Sequence, residues 1–353
     1  MIKEFAVEPA LLGDWRDCLY LIEKFDLEEK GRVISWFPEN WRKLVLEAAD
    51  RHSVGVKDRK YIEEKFMEKF RKHQSAMVPS WRDCQDPENW FKSAEVAHQE
   101  KPFHAIIAEH NPNGHSHVIS YKPGDSIEEH ILFKCPTECS MPKDTEGFCG
   151  IAGPLIRYSK RIIFVDPHFF NNDYTLKNWG KPLEALLRNI SVIGGKYYIN
   201  KMPRYCTSAY LNGETAQYRQ GRIERNLPAY VPRGLKLEVL LLSKLAGEDT
   251  HNRYILTDRG GLKFPWGLDV RKDGARDVVN LMDAGTRAEM FQYFGDGLKP
   301  LLDLEADDSS DESSGPYCQR RPVIKSFVIV GKAKPLEGLR GQNQGGRNGT
   351  ARK

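Results

Sequence analysis

Apolar and charged positions recur with a helical period through the first hundred residues. "DWRDCLYLIEKF" sets Trp15, Leu19, Ile22 and, less regularly, Phe25 along one stripe. "WRKLVLEAA" follows "FPEN", where Asn40 suits the cap of a helix entering at Trp41. "DRKYIEEKFMEKFRKH" spaces Ile62, Phe66 and Phe70 four apart, with glutamates and lysines between them. These stretches predict a helical N-terminal region over residues 1–99, with its aromatic residues as core packing and no catalytic pattern.

The pattern changes after "DPENWFKSA". "PFHAIIAEHN" is a short apolar run closed by the turn signal "NPNG", and "HSHVISYKPGD" reads as a second strand. Ile162 to Val165 form an unbroken apolar run that stops at Asp166-Pro167, as a strand buried on both faces does. "LKNWGKPLEALLRNI" predicts a helix, and "LKLEVLLLSK", "NRYILTD" and "RPVIKSFVIVGKA" predict strands. The order implies an α/β domain over about residues 100–332, with helices covering a mixed sheet. "DLEADDSSDESSG" carries six acids between Asp303 and Glu312, which predicts a disordered acidic loop over 303–315. The Gly-rich, basic end predicts a flexible tail over 333–353. The chain contains no internal repeat.

Composition narrows the class. A length of 353 residues suits two domains or one large domain with extensions, and 40% hydrophobic residues supply a core. The net charge of +4 singles out no partner, so the distribution of charge matters more. No apolar run approaches the roughly 18 residues that cross a bilayer. "MIKEFAVEPALLGDW" lacks the uninterrupted apolar core of a signal peptide. The expectation is therefore a cytoplasmic protein without a transmembrane segment. The seven cysteines are scattered and odd in number, which predicts free thiols. Cys135, Cys139 and Cys149, with His130 nearby, are unlike the tighter paired spacings of zinc sites, so no metal or other cofactor is expected.

The most informative stretch is "THNRYILTDRGG". On a strand, alternation puts His251 and Arg253 on the same side. A neutral imidazole can attack phosphorus, and a neighbouring guanidinium can hold the non-bridging oxygens as they gain charge. Neither step needs a metal.

This pattern, His-x-Arg-Tyr-x-x-x-Asp followed by Gly-Gly, resembles the His-x-Lys-x-x-x-x-Asp motif of the phospholipase D superfamily. "HNRYILTDRGGLKFPWGLD" is similar in particular to a His-x-Arg branch. That branch includes the phospholipase D-like C-terminal domains of MIT-domain proteins and bacterial defence-associated proteins. "RYSKRIIFVDPHFF" is similar to the strand that ends in Asp-Pro in many members. The resemblance implies a phospholipase D-like mixed sheet flanked by helices. It casts His251 as nucleophile, Arg253 as phosphate clamp and Asp258 as a structural support of the strand end, with Asp166 and His168 as substrate-binding candidates. Arg253 stands where most of the family has lysine, and Asp269 where it has asparagine. Catalytic members combine two such motifs. Here His115, His117 and His168 lack the full pattern, so a homodimer would have to supply the second histidine.

Basic residues mark a candidate polyanion surface over 196–236. "YRQGRIERNLPAYVPRGLK" holds Arg219, Arg222, Arg225, Arg233 and Lys236, with Tyr218 and Tyr230 interleaved. "KYYINKMPRYC" adds Lys196, Lys201 and Arg204. The expected function is a metal-independent phosphodiesterase of phospholipase D type, a nuclease acting on DNA or RNA in prokaryotic phage defence. The rival expectation is a degenerate module that binds nucleic acid or anionic lipid, or an adaptor whose helical first hundred residues dock a helicase or ATPase.

Overall fold

The structure is a computed structural model. It describes residues 1–52, 56–72, 76–80, 82–86, 89–122, 124–170, 176–190, 192–193, 196–197, 202–209, 213–243, 252–271, 273–295 and 323–333. The acidic segment 303–315 and residues 334–353 lie outside these, as does His251.

Five short strands open the chain: β1 (Lys3–Val7), β2 (Arg32–Trp36), β3 (Met77–Pro79), β4 (Ala105–Ala108) and β5 (Val118–Ser120). All pair in parallel, in the order β3-β2-β1-β4-β5. Parallel neighbours need crossovers, and helices supply most of them. They are α1 (Trp15–Glu23), α2 (Leu27–Lys30), α3 (Trp41–His52), α4 (Val56–Lys72) and α5 (Trp90–Glu100). The side chain of Asp14 caps α1 through the Arg16 N–H, and Asn89 caps α5 through the Lys92 N–H.

Alternation along β1 divides the two faces. Phe5 and Val7 pack with Leu21 and Ile22 of α1, Trp41 and Val45 of α3, and Phe66 and Phe70 of α4. Ala6 packs on the other side with Trp90, Ala94 and Ala97 of α5. Each large apolar side chain fully buried here contributes roughly 1.5–3 kcal/mol.

Residues 1–99 are thus not a helical region but alternate helix and parallel strand, and residues 105–120 complete the same sheet. The helical stripes do form helices over 15–23, 41–49 and 58–72. "KEFAV", "RVISW" and "MVP" escaped because they are three to five residues long and covered on both faces, so they show no alternation.

Among the described residues the second sheet has eight strands. They are β6 (Glu138–Pro142), β7 (Ile162–Val165), β10 (Arg204–Ser208), β11 (Lys236–Leu242), β12 (Arg253–Thr257), β13 (Gly261–Phe264), β14 (Arg276–Leu281) and β15 (Val323–Val330). The order is β15-β11-β10-β7-β12-β13-β14-β6. Strands β7, β10 and β11 run in parallel, and every other pairing is antiparallel. A separate hairpin joins β8 (Val192–Ile193) to β9 (Lys196–Tyr197).

Helices α6 (Thr145–Tyr158), α7 (Leu176–Arg188) and α8 (Ala216–Asn226) cover one face, and α9 (Ala284–Gly295) covers the other. Strand β7 shows why both are needed. Ile162 and Phe164 join Leu155, Leu183 and Ile223, while Ile163 and Val165 join Met290, Phe291 and Phe294. The protein is therefore a mixed α/β structure with two sheets flanked by helices. Among the described residues no helix is long and apolar enough to cross a membrane.

The two sheets are tied together. Leu27, Val33 and Val78 belong to the core of the second sheet. The Tyr158 hydroxyl donates to Glu4 Oε2 at 2.6 Å, and Arg82 Nη1 donates to Glu4 Oε1 at 2.6 Å. Burial opposes ionisation of Glu4, but Arg82 and Tyr158 outweigh it and hold the carboxyl below its ordinary range. Arg287 pairs with Glu28, and Arg259 Nη2 donates to the Met77 carbonyl.

Candidate functional site

Strand direction gathers the polar side chains of the second sheet at one end. Val165, at the carboxyl end of β7, pairs with Cys206 of β10 and with Tyr254 near the start of β12. Arg253 pairs with Phe264, at the end of β13, and Arg276 at the start of β14 pairs with Pro142 at the end of β6. Asp166, Arg253, the 265–269 turn, Asp277 and Lys143 therefore share one edge. The carboxyl ends of parallel strands are where ligands bind in such sheets.

Asp166 has no exposed surface. Its Oδ1 accepts the His168 N–H at 2.9 Å, and its Oδ2 accepts the Leu268 N–H at 3.2 Å. Arg253 Nε lies 3.7 Å from Oδ1. Burial drives this carboxyl up to about 7, against the pull of Arg253 and the two backbone N–H groups. A carboxyl so shifted, beside a fixed cation at a sheet end, marks a functional-site candidate.

The 265–269 turn is clamped from beneath. Arg253 Nη1 donates to the Pro265 carbonyl at 3.1 Å. Lys143 is buried, and its ammonium donates to the carbonyl of Trp266 at 2.6 Å, to that of Gly267 at 3.3 Å and to Asp269 Oδ1 at 3.0 Å. Asp277 is also buried and accepts the Trp266 N–H at 3.4 Å; burial raises its pKa, against the pull of Lys143. Gly267 has φ +94°, and a Cβ there would come within 2.9 Å of Asp269 Oδ1. That backbone region favours glycine, and the space admits no side chain without a shift.

Two expected surface residues act behind the site instead. Arg219 and Arg222, expected on a phosphate track, are instead buried on α8. Arg219 donates to the carbonyls of Ser208 and Phe169, each at 2.9 Å, with Glu214 Oε2 at 3.5 Å from Nη1. Arg222 makes a two-pronged pair with Glu214 at 2.6 and 2.7 Å, and donates to the Phe170 carbonyl at 2.6 Å. Phe170 has φ 57°, a strained conformation for a bulky residue, and this carbonyl contact helps hold it. The physical reason is helical spacing. Residues 216–226 form a helix capped by Thr215, so positions 219, 222 and 223 face the sheet together.

Arg225 and Arg233 remain exposed. Arg204 is engaged with Glu238 Oε2 at 2.7 Å and with the Phe294 carbonyl at 2.9 Å. Asp258 lies at the opposite end of β12 from Arg253, five residues or about 17 Å along the strand. Its Oδ1 accepts the N–H groups of Lys160 and Arg161 at 2.9 and 3.0 Å. Of the sequence-derived candidates, the structure brings together Asp166, His168 and Arg253. Lys143 and Asp277 were missed. Each stands alone in the sequence, and only strand pairing carries it to the site.

Among the described residues no group of three or more His, Cys, Asp and Glu is placed to hold a metal ion. The six described cysteines are free thiols, and burial pushes Cys135 and Cys149 upward.

No protein-family model matches the chain, and no curated protein matches it. One match among solved structures is TrmBL2, an archaeal chromatin protein whose structure shows a novel mode of DNA binding. It shares 11% identity at a TM-score of 0.24, over 48% of this chain and 54% of that one. The chain thus spans about half of that protein, a likeness too slight to define a shared fold.

Proposed function

We propose that the carboxyl end of the eight-stranded sheet is a phosphodiester site of phospholipase D type, and that the protein is a phosphodiesterase acting on nucleic acid. The observation that carries this reading is Arg253, fixed there by the buried Asp166 and the Pro265 carbonyl. His251 precedes it by two residues in the sequence. In this mechanism an imidazole nitrogen of His251 bonds to phosphorus as the P–O bond to the leaving oxygen breaks. The leaving oxygen takes a proton, and water then hydrolyses the phospho-histidine. Arg253 stabilises the charge that builds on the non-bridging oxygens. A second copy of the chain would supply the second histidine that the family's chemistry uses. The free thiols suit a reducing, cytoplasmic setting.

A second reading, recognition without turnover, is favoured by one feature. Both cations are matched by carboxylates: Arg253 by Asp166 and Lys143 by Asp269. A guanidinium already matched in this way stabilises less of the charge that develops in a transition state. The test is cleavage of labelled single- and double-stranded DNA and RNA in EDTA, with wild type and His251→Ala, and anionic vesicles as a binding control. Cleavage by wild type alone supports the phosphodiesterase. Binding with steep salt dependence but no cleavage supports recognition. Neither binding nor cleavage overturns both.

A further inference from the structure

We infer that Trp266 is a base-stacking platform and that the nucleic acid taken at this site is single-stranded. This rests on the phosphodiester reading above.

Trp266 is 63% exposed, while its backbone is held by two buried charged side chains. Asp277 receives its N–H, and Lys143 donates to its carbonyl. The flanking residues both reach the candidate phosphate clamp. Pro265 accepts from Arg253 Nη1 at 3.1 Å, and a Cβ on Gly267 would lie 3.6 Å from Arg253 Nε. A large apolar ring on a fixed backbone loses little conformational freedom when a flat partner covers it. Placed next to a cation that holds a phosphate, the ring can engage a base of the same strand.

The chemistry selects among partners. Every base has a π-face, so stacking tolerates sequence, but a base inside a duplex has both faces covered. A strand whose bases can splay out is therefore the substrate class. Stacking of this kind changes affinity by roughly five- to a hundredfold per base.

The experiment compares anisotropy of labelled oligothymidylate, an abasic oligomer of equal length and charge, and a duplex, with co-sedimentation on anionic vesicles as a fourth arm. The full chain is used as wild type, Trp266→Phe and Trp266→Ala. Wild type should bind oligothymidylate about tenfold more tightly than the abasic oligomer. Trp266→Ala should erase that preference and leave abasic affinity unchanged, while Trp266→Phe keeps part of it. Equal wild-type affinity for the two oligomers overturns the inference but leaves the phosphate reading standing, provided both bind with salt dependence. An equal loss of affinity for both in Trp266→Ala, or tighter binding of the duplex, also overturns it. If neither oligomer nor the duplex binds, the phosphodiester reading fails as well. Binding to anionic vesicles alone, lost in Trp266→Ala, would make the indole a membrane anchor and overturn both.

Discussion

Arg253 holds its Nε 3.7 Å from Oδ1 of Asp166, a carboxyl with no exposed surface whose pKa stands at about 7. The charge of this pair therefore changes near neutrality. Above that value Asp166 is ionised and offsets the guanidinium; below it the acid is neutral and Arg253 is uncompensated. Phosphodiester affinity should rise severalfold as pH falls from about 8 to about 6. Asp166→Asn should flatten the profile, as read by anisotropy at constant ionic strength. A wild-type profile that is flat, or that rises with pH, would falsify the coupling. In stability, a raised acid favours the folded state below its ordinary 3.8, and that contribution is lost as pH rises through about 7.

Arg219 and Arg225 lie on one helix but should respond differently. Arg219→Ala removes a buried cation from Glu214 and two carbonyls, and should destabilise the protein by about 3–5 kcal/mol in chemical denaturation. Arg225→Ala, at an exposed position, should stay within about 0.5 kcal/mol of wild type. If Arg225 contacts phosphate, its loss should also reduce the salt slope of binding by about 0.7–0.9.

Asp258 braces the turn into β7 and lies far from Arg253. Asp258→Ala leaves two backbone N–H groups without their acceptor and should lower stability by about 1 kcal/mol. Oligonucleotide affinity should stay at the wild-type value. A large loss of affinity with unchanged stability would place Asp258 in the site instead.

The rings of His98 and His117 stack 3.9 Å apart at 9°. Burial lowers both pKa values, and neighbouring imidazoles lower them further. The facing groups include Glu95, which favours the charged form of His117, and Arg82, which opposes that of His98. Depressed bases are protonated more readily in the unfolded chain, so stability should fall as pH drops below about 6.5. His117→Phe should make the decline in thermal midpoint between about pH 7 and 5 shallower. An unchanged slope would assign the acid sensitivity elsewhere.

Much of the fold was legible wherever an element was long enough to show its period. The helix over 176–188 and the strands at 162–165, 236–242 and 323–330 stand where the apolar pattern put them. The first sheet was not legible, because its strands are too short to outweigh the helical stripes around them. For the candidate site, strand alternation singled out Arg253 beside His251, while Asp166 and His168 became candidates only through the family resemblance of the stretch that ends in Asp-Pro. Lys143 and Asp277 were not legible, since nothing beside them in the sequence distinguishes them.

Local sequence determined the elements: hydrophobic period, side-chain caps and strand-ending Asp-Pro act over a few residues, and a one-dimensional pattern records them. Tertiary structure decided which charges are structural and which face solvent. Arg219 and Arg225 carry the same side chain six residues apart; one is buried against Glu214 and the other faces solvent. Asp166 and Asp258 both follow strands, yet Asp258 stays exposed, whereas Asp166 loses its water and burial drives its carboxyl up to about 7. Desolvation and charge pairing depend on neighbours from distant strands, so they arise only when the sheet assembles.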